Sequence, residues 1–278
     1  MAYASAEDSS EIYYEVHGSR GTAVLMAAGM GGSGRFWQLQ VDALAQRHRV
    51  VLYDQVGTGS SSRKMGVELS VARMARDMLA VLNAQGLSAA HVVGHAIGGI
   101  IGLSLAACAP ARVLSLTVIN AWAQADAHLK RCFEVRKDIL QHSGPLAYLR
   151  AQPLFLYPPR WISDNDAYLN DELSGQLAAF PATSTMLNRI NLFLNFDAMP
   201  LLPLVHTPCL IMAARDDALV PCHLSNALQA ALPTARLEII DSGAHAFTHV
   251  HPERFSELLL SYLAEHDPSF ESSPPSSS

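Results

Sequence analysis

An α/β fold with a mostly parallel, eight-stranded sheet flanked by helices is predicted from three features of this chain. Short apolar runs recur, each followed by a glycine-containing turn and a helical pattern, which is the rhythm of parallel strands joined by crossover helices. That rhythm stops near residue 122 and resumes near residue 200, so a helical cap is expected as an insertion into the sheet domain. Half of the 278 residues are hydrophobic and 16% are charged, which is enough apolar material to cover both faces of a sheet. The boundaries expected on this basis are a core of residues 1–121 and 200–267, a cap of residues 122–199, and a polar, Pro/Ser-rich disordered tail of residues 268–278.

Each element has its own signature. Residues 11–17 alternate enough for an opening antiparallel strand, and residues 23–29 and 49–54 read as buried strands with a helix over 36–46 between them. Val71, Met74, Ala75, Met78, Leu79 and Leu82 fall on one face of a 3.6-residue period, so residues 70–85 form an amphipathic helix that Gly86 is placed to end. Residues 90–99 run from a strand into a helix through small residues, and residues 114–120 form the next strand. After the cap, strands are expected at 209–214 and 237–241, with helices at 223–232 and 252–264.

Composition narrows the function. A net charge of −6 with no Lys/Arg cluster gives no electrostatic basis for nucleic-acid binding. No apolar run approaches the roughly 20 residues that span a bilayer, and the first residues lack a signal-peptide pattern. Cys108, Cys132, Cys209 and Cys222 are scattered without metal-ligand spacing, as expected of reduced thiols in a cytoplasmic protein. His245, His249 and His251 match no metal signature either, so neither metal nor cofactor is expected. The implied partner is a small-molecule substrate, and the apolar composition permits a homodimer.

The chemistry concentrates at the strand ends. Gly94-His95-Ala96-Ile97-Gly98 matches the glycine frame of the G-x-S-x-G nucleophile elbow of α/β-hydrolases, a turn so tight that only small residues fit around it. Ala96 stands where serine, cysteine or aspartate would stand. In that fold an acid follows a later strand and a histidine follows the last one. Asp217 in RDDALVP and His245 in DSGAH occupy those places, with Asp217 preferred over Asp216 because of the Asp-x-x-Val-Pro ending. The acid would fix the tautomer of the histidine and stabilise its cation. Backbone amides of Met30, in the glycine-rich loop of residues 29–34, and of Ile97, after the elbow, are the candidate oxyanion donors. The turn of residues 54–60 is expected to be structural and close to the site.

Several stretches resemble one family more narrowly, the pyrimidine-utilisation protein D family: AGMGGSG at 28–34, YDQVGTG at 53–59, VVGHAIG at 92–98, RCFEVR at 131–136 and QPLFLYP at 152–158. The resemblance covers nearly the whole chain, including its cap. It implies that alanine at the elbow is native, and that the chain acts where uracil nitrogen is released as ammonia. Two reactions are implied, breakdown of carbamate to CO₂ and ammonia or hydrolysis of 3-aminoacrylate to malonic semialdehyde. Both substrates decompose unaided in water and need mainly proton transfer, which suits a site without a nucleophile. Trp122, Arg131, Phe155 and Tyr157 of the cap are candidates to shrink the pocket, and Arg131 either pairs with a substrate carboxylate or forms a structural ion pair. Two rival readings stay open: a serine ester or enol-lactone hydrolase inactivated at Ala96, and a non-catalytic binder that kept the fold.

Overall fold

Strands carrying continuous apolar runs must be covered on both faces, and those of this chain are. A computed structural model describes residues 2–63 and 69–267; the expected tail lies outside the described residues. The strands are β1 (Ala2–Ser5), β2 (Glu11–His17), β3 (Ala23–Ala27), β4 (Arg49–Tyr53), β5 (Ala90–His95), β6 (Val113–Ile119), β7 (Cys209–Ala214) and β8 (Arg236–Ile240). They form one sheet in the order β1-β2-β4-β3-β5-β6-β7-β8. β1 and β2 pair antiparallel, as do β2 and β4, and every other pairing is parallel. The central β3 and β5 are buried along their whole length, which is why they read as unbroken apolar runs.

Helices α1 (Gln38–Ala45), α2 (Val71–Ala84) and α3 (Ile97–Cys108) follow β3, β4 and β5. Gly86 takes the left-handed conformation after α2, with φ 63°. The Leu87 amide then reaches the Leu82 carbonyl at 3.0 Å, closing the helix end. Between β6 and β7 come only helices: α4 (Ala127–Ala151), α5 (Pro153–Leu156), α6 (Pro159–Asp164), α7 (Asp166–Ala179) and α8 (Thr183–Asn195). α4 breaks at Gly144, whose φ of 79° and following Pro145 interrupt the helix. The Ala198 amide donates to the Ala123 carbonyl at 2.9 Å, so the chain leaves the helical segment beside the point where it entered. Helices α9 (Cys222–Ala231), α10 (Phe247–Val250) and α11 (Pro252–Glu265) are the last helices among the described residues. Among the described residues no helix is long and apolar enough to cross a membrane.

Parallel strands place their following loops on one edge of the sheet, where α/β proteins bind ligands. Here those loops carry Met30 after β3, Ala96 after β5, Asn120 after β6, Asp217 after β7 and His245 after β8.

Candidate active site

Glycine makes the elbow possible. A Cβ on Gly94 would come within 2.3 Å of the Gly98 carbonyl oxygen, and one on Gly98 within 2.3 Å of the Ala27 carbonyl oxygen. With those contacts open, Ala96 adopts φ 50° and ψ −114° at the top of β5. A non-glycine residue held there costs of order 1–3 kcal/mol. The Ala96 amide is tied to the Ile119 carbonyl at 2.7 Å. Ile97 is the first residue of α3, so its amide has no intrahelical acceptor. Neither that amide nor the Met30 amide finds a partner among the described residues, and both residues line one cavity with Ala96 and His245.

The acid–base pair is built on the next two loops. His245 Nδ1 lies 2.8 Å from Asp217 Oδ2, and both side chains are almost fully buried. The other carboxylate oxygen accepts the amides of Leu219 and Val220, each at 2.8 Å. Asp217 therefore accepts from three donors, and its contact with His245 places a ring proton on Nδ1. Nε2, without a partner among the described residues, is left for the cavity. Asp216 acts on the backbone instead. Its carboxylate accepts the amides of Gly243 and Ala244 at 3.1 and 2.8 Å and so shapes the loop before His245.

His95, Asn120 and Arg189, which sequence reasoning missed, hold this arrangement together with the turn of residues 54–60. His95, the side chain next to Ala96, donates from Nε2 to the His245 carbonyl at 2.8 Å, and Asn120 Nδ2 donates to the same oxygen at 2.8 Å. His95 Nδ1 is consequently an unprotonated acceptor, buried without a partner. Burial holds the pKa of His95 well below the usual histidine range, and the neighbouring His245 adds to the effect. The turn after β4 supports the glycine-rich loop of Met30: Gln55 Nε2 donates to the Ala28 carbonyl at 2.8 Å, and Asp54 accepts the Gly34 amide at 2.7 Å. From α8, the fully buried Arg189 donates to the Met30 carbonyl at 3.2 Å and to Gln55 Oε1 at 2.5 Å.

Of the pocket residues expected from the sequence, Trp122 and Tyr157 line the cavity. Phe155 sits behind that lining, against a neighbouring guanidinium. Arg131 is on the solvent side of α4 and is exposed. Arg136, five residues on, is the α4 arginine that is buried and lines the cavity. The sequence carries a signal for it. Leu129, Phe133, Arg136 and Leu140 share the buried face of α4 at helical spacing, so Arg136 is a charge on an apolar stripe. His249 Nε2 donates to the Phe36 carbonyl at 2.7 Å and His251 Nε2 lies 3.2 Å from the Ser242 hydroxyl, so these two are engaged locally.

A strained elbow, two unpartnered amides and a His–Asp pair in this chain order define an α/β-hydrolase. The family model described as alpha/beta hydrolase fold matches residues 22–252. A hydrolase from Pseudomonas aeruginosa superimposes with a TM-score of 0.84 at 22% identity, covering 94% of this chain and 97% of that one. The enol-lactonase from Burkholderia xenovorans does so at 0.82 and 20%, covering 95% and 100%. At such identities these neighbours fix the fold and nothing finer. Two curated relatives are much closer in sequence, both named "Putative carbamate hydrolase RutD". That of Azorhizobium caulinodans is 55% identical over 267 residues, 96% of this chain and 100% of the relative. That of Caulobacter vibrioides is 46% identical over 255 residues, 91% and 95% of the two chains. The chain belongs to the RutD family of α/β-hydrolases.

Proposed function

We propose that this chain is a hydrolase of pyrimidine-nitrogen catabolism, acting on a small C–N substrate without a covalent nucleophile. The observation that carries the reading is the intact His245–Asp217 pair, 2.8 Å apart and buried, facing a cavity in which the elbow offers only the methyl group of Ala96. No acyl-enzyme can form on a methyl group. What the site retains is a positioned proton carrier and a pair of free amides.

Those parts suit carbamate, the substrate class named for the relatives. His245 Nε2 takes a proton from solvent and Asp217 stabilises the resulting imidazolium; delivery of that proton to the carbamate nitrogen lets the C–N bond break, releasing ammonia and CO₂ and returning His245 to its Nδ1–H form. The amides of Met30 and Ile97 hold the carboxylate oxygens until they leave as CO₂. For 3-aminoacrylate the same histidine delivers a proton to the enamine and then directs water to the resulting imine carbon, and ammonia departs to leave malonic semialdehyde. Transfer by a positioned acid–base group is worth about 10²–10⁴-fold, a useful gain for compounds that already decompose in water.

The second reading, an ester or enol-lactone hydrolase inactivated at position 96, draws on the strained elbow and on the fold shared with the enol-lactonase. Ammonia release from freshly prepared carbamate and from enzymatically generated 3-aminoacrylate, at mildly alkaline pH with and without the protein, tests the first. A protein-dependent excess on either substrate supports it. Rates equal to buffer on both would refute it.

A further inference from the structure

Arg136 is a buried guanidinium with no counter-ion among the described residues. Its side chain is 4% exposed, and its guanidinium lies 4.9 Å from the ring centres of Phe133 and Tyr148 and 5.4 Å from that of Phe155. Nη2 donates to the Tyr148 hydroxyl at 2.7 Å and, at 3.4 Å, to Gln152 Oε1. Nε is buried and has no partner, and no Asp or Glu among the described residues pairs with the group. Ring faces and neutral oxygens offset part of the cost of burying this cation but bring no negative charge.

A second buried arginine shows the difference. Arg189 also has no carboxylate partner among the described residues and leaves its buried Nη1 unpartnered, yet two of its nitrogens are engaged with Met30 and Gln55 and it does not line the cavity. Arg136 does line it. The Leu156 carbonyl, one residue beyond Phe155, accepts the Ala246 amide at 2.9 Å. The short helix α5 therefore forms a wall shared by the Arg136 cage and the loop of His245.

We propose that Arg136 is an anion subsite of this cavity, and that it takes the carboxylate of acids whose apolar body is larger than carbamate. Planar, fixed donors make arginine the side chain suited to grip a carboxylate. The cavity measures about 540 Å³, within the roughly 300–1,000 Å³ of pockets that take drug-sized ligands. A molecule as small as carbamate leaves most of that space empty. A flat unsaturated or aromatic monocarboxylate would fill the aromatic-walled end and place its far side toward His245. The proposal rests on reading this cavity as the substrate pocket.

The test is equilibrium binding, which needs no turnover. Titration calorimetry with benzoate and with its neutral counterpart benzamide, on the wild-type protein, should show the anion bound about tenfold or more tightly. Arg136→Met, checked for folding by its thermal transition, should lose that preference. Equal affinity for the two probes, no binding of either, or an undiminished preference in folded Arg136→Met would overturn the proposal. If Arg136→Met does not fold, the Arg136 side-chain N–H resonance of the wild-type protein, followed by NMR, should move on titration with benzoate and not with benzamide, and a resonance unmoved by benzoate would overturn the proposal. Carbamate turnover on the same preparation is scored separately. Anion binding without turnover would remove the catalytic reading and leave the subsite standing, and turnover without anion preference would do the reverse.

Discussion

The elbow and the base loop face the same cavity, and they differ in what their backbones serve. At the base loop, Asp216, Asn120 and His95 hold the chain so that His245 meets Asp217. At the elbow, a comparably constrained backbone, with Ala96 at φ 50°, presents a methyl group. Strain of about 1–3 kcal/mol is retained there with no nucleophile to justify it. The turn has two other consequences. It leaves the Ile97 amide free at the start of α3, and it places His95 against the carbonyl of His245. On the proposed mechanism the elbow is a scaffold for the oxyanion amide and the base loop, whereas the base loop carries the proton.

The sharpest way to break this contrast is to take the acid from the base loop. Asp217→Asn keeps the shape but unsettles the tautomer of His245. The loss expected in kcat/KM for ammonia release approaches the roughly 10⁴-fold that the same change costs in a serine-protease triad. A loss under about threefold would show that His245 works without its partner.

Next in size is the elbow frame. Gly98→Ala drives a methyl group into the Ala27 carbonyl oxygen, and overpacking of this kind costs about 1–3 kcal/mol. A thermal transition lowered by roughly 2–10 °C is expected by calorimetry. An unchanged transition would mean that the close approach is relieved elsewhere.

Protonation probes the elbow side of the comparison. Burial pushes His91, on the elbow strand, down to about 4, and holds His95 lower than usual as well. Both are therefore neutral in the fold and take up protons on unfolding at about 6.5. Their contribution to stability is complete above about pH 6.5 and is lost as pH falls toward 4. The midpoint should drop by roughly 5 °C between about pH 7 and pH 5, and His91→Gln should flatten that slope. A midpoint independent of pH in that window would contradict the burial argument.

The smallest effect is expected from restoring the missing hydroxyl. In a site that works by proton transfer alone, Ala96→Ser should raise hydrolysis of a p-nitrophenyl ester by less than about tenfold. A gain of several orders of magnitude would favour the inactivated-hydrolase reading.

What is legible in the sequence follows from which constraints are local. Parallel strands buried on both faces must be apolar throughout, so β3, β4, β5 and β7 are visible within a residue or two of their ends. The glycine frame and the chain order single out Ala96, Asp217 and His245. The edge strand β1 is not visible, because AYAS is too short to show a period and its pairing with β2 is set by long-range register. His95, Asn120 and Arg189 act through contacts between residues far apart in the chain, which no spacing encodes. Arg131 and Arg136 show the intermediate case. The motif RCFEVR begins and ends on an arginine, and only the helical period of α4 tells that the second lies on the buried face.

The most direct measurement is ammonia release from freshly made carbamate with the wild-type protein, His245→Ala and buffer compared at mildly alkaline pH. The expected result is a wild-type excess over buffer that disappears in His245→Ala, a loss of about 10²–10⁴-fold in the catalysed component. A His245→Ala rate equal to that of the wild type would contradict proton transfer through His245.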